Sequence, residues 1–120
     1  MDDKFSKDIQ TEINEILFRL EKWNNYFDKT IEFYIDGWAI YLREKNLYPR
    51  YITIFKSYCS NTYSIKSFEV HLKDYKKEEF NELYFTNNIS NQNKLLEELN
   101  AVVYGKDLAK KVTKIYQNSH

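Results

Sequence analysis

Residues 33–60 read FYIDGWAIYLREKNLYPRYITIFKSYCS, and how they are parsed decides the fold. The stretch holds eight aromatic side chains, the only proline (Pro49) and the only cysteine (Cys59). Read with a helical period, Ile31, Tyr34, Ile35, Trp38 and Leu42 form one stripe, and a helix over 30–46 ends near Asn46. Pro49 cannot continue that helix but suits the first turn of the next. Tyr51, Ile54, Phe55, Tyr58 and Cys59 then follow at helical steps. The rival parse makes 51–55 a strand, because Tyr-Ile-Thr-Ile-Phe is β-branched or aromatic throughout. So short a run leaves both readings open.

Upstream, Phe5, Ile9, Ile13, Ile16, Leu17, Leu20, Trp23 and Phe27 recur at steps of three and four, an amphipathic helix. Continued unbroken through Leu42, it would be about 55 Å long, too long for so small a domain. An interruption at Asn24-Asn25 and Asp28-Lys29-Thr30, with Asp28 or Thr30 capping the second helix, makes a hairpin instead. Downstream, residues 64–75 fit either period. KKEEFNELYF at 76–85 reads as a short helix and TNNISNQN at 86–93 as a loop. Leu95, Leu96, Leu99, Val102 and Val103 stripe a helix that ends at Tyr104-Gly105, with Gly105 as its C-terminal cap. Leu108, Val112 and Ile115 stripe a last one.

The expected fold is therefore mainly α, a single helical domain over 1–120 made as a bundle of about five helices. The alternative is α+β with a small hairpin around residues 51–73. Ile13, Leu17, Leu20, Trp38, Leu42, Leu96, Leu99 and Val103 are expected in the core.

Composition bounds the function. Eighteen acidic and eighteen basic residues cancel, which removes the commonest sign of nucleic-acid or membrane-surface binding. A lone cysteine permits no internal disulfide and fits a reducing, cytoplasmic setting. No secretory signal or membrane-length apolar run is present. His71 with Asp74 supplies two candidate ligands, fewer than zinc needs. Cys59 and His71 lie in no recognisable nucleophile motif. The chain is accordingly expected to be no enzyme and to need no metal or cofactor.

Charge is unevenly spread. Residues 1–44 hold ten acids and six bases, whereas residues 45–76 hold six bases and two acids. The basic segment interleaves cations with tyrosines, and the expected binding surface is Tyr48, Arg50, Tyr51, Lys56, Tyr58 and Lys66. Such a surface can dock an acidic protein face or hold a phosphate backbone and stack bases. It can also be a plain helix face whose lysine stems cover the core edge.

Tyr41-Leu42-Arg43-Glu44-Lys45, followed by Leu47-Tyr48-Pro49-Arg50-Tyr51-Ile52-Thr53-Ile54-Phe55, resembles a motif of the SAM-like core-binding domain of tyrosine recombinases (phage integrases). Leu72-Lys73-Asp74-Tyr75 with Phe80, and Ile89-Ser90, are similar to later parts of that domain, so the resemblance spans 30–105. It implies a helical module that binds DNA. The Ser and Thr usual in the motif are Tyr48 and Tyr51 here, and no recombinase cleavage site lies in these residues, so DNA would be bound and not cut.

The leading expectation is a small interaction protein of the immunity, antagonist or regulatory type, of bacterial or phage kind, acting on another protein. The alternative is the DNA-binding SAM-like module.

Overall fold

The computed structural model describes residues 3–45, 50–73 and 77–105. It is an α+β fold and not a helical bundle. The elements are α1 (Asp3–Arg19), a 3-10 turn (Glu21–Trp23), β1 (Phe27–Phe33), β2 (Gly37–Glu44), β3 (Arg50–Ser57), β4 (Tyr63–Lys73), β5 (Lys77–Ile89) and α2 (Gln92–Val103). The five strands form one antiparallel sheet in the order β1-β2-β3-β4-β5, a meander in which every neighbour in sequence is a neighbour in space.

Period two explains why 27–57 is sheet. Trp38, Ile40 and Leu42 alternate on β2, as do Ile52 and Ile54 on β3, and all five are buried. Rows of opposed residues cross the sheet: Ile31, Ile40, Ile54 and Ile65 form one, and Leu42, Ile52 and Ser67 another. Alternation buries the middle of one face under the helices and leaves most of the other uncovered. A helical stripe over the same residues would leave Ile40 and Ile52 off its apolar face.

Both helices cover that one face. Ile13, Ile16 and Leu20 from α1 and its end, and Leu95, Leu99 and Val102 from α2, join the sheet residues in a single cluster. Asn91 caps α2, its Oδ1 accepting from the Lys94 N–H (2.9 Å). Gly105 follows at φ +109°, the left-handed conformation that ends a helix.

Several expectations are thereby corrected. Residues 30–44 of the expected 30–46 helix lie in the β1–β2 hairpin, so Asp28 and Thr30 are strand residues and cap nothing. The segment after Pro49 is β3, where Tyr51–Phe55 takes the strand reading. Residues 77–85 of the expected 76–85 helix belong to β5, which also takes in part of the expected loop, to Ile89. There, pairing with β4 overrides a sequence rich in Glu, Lys and Asn. The α2 expectation holds, and so does most of the core list. Ile13, Leu20, Trp38, Leu42, Leu96 and Leu99 are buried, while Leu17 and Val103 pack partly buried against them. The expected last helix and Tyr48, Pro49 and Asp74 lie outside the described residues.

Candidate interaction surface

The second face of the sheet carries the side chains that the helices leave uncovered. From β2 come Tyr41 and Arg43, from β3 Tyr51, Thr53 and Phe55, from β4 Ser64, Lys66 and Phe68, and from β5 Phe85. Register sets them in three rows. Arg43, Tyr51 and Phe68 form the first, Tyr41, Thr53, Lys66 and Phe85 the second, and Ala39, Phe55 and Ser64 the third.

In the first row the Tyr51 and Phe68 rings stack, centroids 5.2 Å apart and planes 4° from parallel. Arg43 Nε donates to the Tyr51 hydroxyl at 3.2 Å, fixing the ring's outer end. In the second row the Tyr41 hydroxyl shares a hydrogen bond with that of Tyr34 from the β1–β2 turn. Burial, then the Tyr34 partner, push the Tyr41 hydroxyl up to about 12. Lys66 and Phe85 are exposed, Phe85 by 54%. The Thr53 hydroxyl is buried between the rows without a hydrogen-bond partner. The result is a largely aromatic platform carrying Arg43 and Lys66, with Asp28 and Glu82 at the two ends of the first row and Glu32 at the edge of the third. Its aromatic groups offer large contact area at low entropy cost.

The structure divides the expected binding residues. Tyr51 and Lys66 do share this face. Arg50 and Lys56, one residue out of phase with Tyr51, sit on the helix-covered side, because neighbours along a strand point to opposite faces. Arg50 is 5% exposed, and its guanidinium donates to Glu44 (2.8 Å) and to the carbonyls of Val102 (2.9 Å) and Val103 (3.1 Å). It holds the end of α2 to the sheet. Lys56 Nζ donates to Glu12 Oε2 (2.6 Å) and lies 5.1 Å from the Tyr63 ring centre. Tyr58, half-buried in the β3–β4 turn, donates its N–H to the Asp36 carbonyl (3.0 Å). Sequence reading missed Tyr41, Arg43, Phe55, Phe68 and Phe85. The odd-numbered spacing of Tyr41, Arg43 and Phe55 between buried even-numbered residues would have grouped three of them with Tyr51.

On the helix side, a cleft of ≈ 480 Å³ lies between α1, Gln92 and the β3–β4 turn, with Glu12, Glu15 and Lys56 in its wall. The Glu12 carboxylate accepts from both Lys56 and the Tyr63 hydroxyl (2.5 Å). Burial, then the bond to Glu12, push the Tyr63 hydroxyl well above its ordinary value, so it stays protonated. Acid, ammonium and phenol satisfy one another, and the trio serves as a clamp between α1 and the sheet. Cys59 is exposed, and among the described residues no three His, Cys, Asp or Glu side chains gather to hold a metal. Nor, among them, is any helix long and apolar enough to cross a membrane.

No protein-family model, curated protein or solved structure matches this chain.

Proposed function

We propose that the chain is a non-enzymatic interaction protein of the antagonist, immunity or regulatory type. It acts by laying the uncovered face of its sheet against another protein. One observation carries this reading: the stacked Tyr51–Phe68 pair lies beside Tyr41, Phe55 and Phe85 on a face that neither helix covers. Aromatic side chains with an arginine are the groups that dominate binding energy at protein interfaces. Arg43 and Lys66 within the aromatic rows offer partners to acidic groups, and Asp28, Glu32 and Glu82 at the rim offer partners to basic ones, so charge sets orientation more than attraction.

DNA or another nucleic acid is the second reading. A parallel aromatic pair flanked by a guanidinium and an ammonium also suits single-stranded bases, which stack on rings while cations track the backbone.

Affinity capture from cells of the source organism, with and without nuclease, tests both readings when wild type and Tyr51→Ala are compared. A nuclease-resistant partner protein that Tyr51→Ala binds at least about tenfold more weakly supports the first. Nuclease-sensitive capture, with affinity falling steeply as salt rises, supports the second. A captured partner that Tyr51→Ala, Phe85→Ala and Lys66→Glu all bind normally places the binding surface elsewhere and overturns both.

A further inference from the structure

The two edges of the sheet differ. β5 is irregular against β4, with two register shifts, and Asn88 within it has φ 58°. Such features blunt an edge against pairing. β1 is a regular strand of 7 residues, and among the described residues no strand pairs with its outer side. The hairpin tells which backbone groups face outward. Tyr34 N–H donates to the Gly37 carbonyl (2.7 Å) and Lys45 N–H to the Tyr26 carbonyl (2.9 Å). Even-numbered residues of this arm therefore bond to β2, and Lys29, Ile31 and Phe33 turn their N–H and C=O groups outward.

Apolar surface gathers at the same edge. Phe33 is 57% exposed, Ile35 at the hairpin tip is fully exposed, and Phe18 on α1 is 71% exposed. A groove of ≈ 460 Å³ runs between α1 and β1, walled by Leu17, Phe18, Lys29 and Ile31.

We propose that β1 pairs antiparallel with β1 of a second copy of this chain across a two-fold axis through Ile31. Among registers centred on the middle of the strand, Lys29 to Glu32, charge selects that one. An axis at Thr30 sets Asp28 against Glu32, one at Lys29 sets the ammonium against itself, and one at Glu32 does the same with its carboxylate. Like charges directly opposed destabilise a sheet. With the axis at Ile31, no like charges meet in β1. Ile31 faces its counterpart, Thr30 faces Glu32, and Lys29 faces Phe33, a cation beside an aromatic ring. Phe33 of each copy reaches the wall of the other's groove. The contact is self-complementary and closes at two copies, giving one ten-stranded sheet whose open faces lie on the same side. It leaves the aromatic platform free and does not depend on what that platform binds.

Sedimentation equilibrium of the full chain tests this. The wild type, 14.7 kDa as a monomer, should sediment at twice that mass at micromolar concentration. Thr30 is exposed and faces only Tyr41 within its own sheet, so it can be changed without disturbing the fold. Thr30→Glu sets two carboxylates against Glu32, once on each side of the axis, and should weaken dimerisation roughly three- to tenfold. Thr30→Lys should strengthen it by a similar factor. Ile31→Pro removes an outward N–H that β2 does not use and should give a monomer with unchanged circular dichroism. A wild type that stays monomeric, or a dimer on which the two Thr30 variants act alike, overturns the proposal.

Discussion

The Arg50 guanidinium on β3 donates to the Val102 carbonyl at the end of α2, 2.9 Å away and across 52 positions of sequence. Backbone carbonyls in the last turn of a helix have no partner within it, and a cation there also meets the negative end of the helix dipole. Glu44 takes the remaining charge at 2.8 Å. A residue that reads as a basic surface anchor is thus the bolt that closes the fold.

Arg50→Ala should destabilise the protein by roughly 2–5 kcal/mol, since it removes a buried guanidinium together with its bonds to Glu44, Val102 and Val103. Arg50→Lys should recover only part of this, because one ammonium cannot span the three acceptors. Urea unfolding of the variants measures both.

Gly37→Ala should also destabilise. Replacing strand glycine by alanine usually gains about 0.5–1 kcal/mol in backbone entropy. Here a Cβ would stand 2.3 Å from the Lys56 carbonyl oxygen and 2.8 Å from the Phe55 ring. Overpacking of that kind costs about 1–3 kcal/mol, so the steric term decides the sign. Thermal unfolding should show a lower midpoint for the variant.

Leu99→Ala should cost about 2–5 kcal/mol, because Leu99 is fully buried between α2 and the sheet. Leu17→Ala, at a partly buried position beside the β1 groove, should cost clearly less. Equal losses from the two would contradict the described packing.

Alkali should unfold the protein early. Tyr41 is raised to about 12, chiefly by burial, and Tyr63 is raised further by burial and by Glu12. Unfolded tyrosine ionises near 10, so above that pH the unfolded chain releases protons that the native one retains. Stability is full below about pH 10 and falls as pH rises through the native values. Absorbance titration should show late-ionising tyrosines, and Tyr63→Phe should reduce the alkaline loss of stability.

Sequence by itself determined most of the apolar core and where α1 and α2 lie. Ile13, Leu20, Trp38, Leu42 and Leu99 are core in either reading, because hydrophobicity does not depend on the period that arranges it. The 3.6-residue stripe before Arg19 and the run from Leu95 to the Gly105 cap are long enough to be unambiguous. Between them, Ile31, Tyr34, Ile35, Trp38 and Leu42 satisfy a helical period by spacing alone, while Trp38, Ile40 and Leu42 satisfy a strand. Only pairing with β1 and β3 decides between the two, because a strand's hydrogen bonds lie with distant partners and a helix's lie within four residues. Face assignment followed from that choice. One residue separates Arg50, buried against α2, from Tyr51, stacked on Phe68 at the open surface, and a helical reading sets both on one exposed edge. The aromatic platform and the free β1 edge exist only once five strands lie side by side, since each is made of residues that the chain alone keeps far apart.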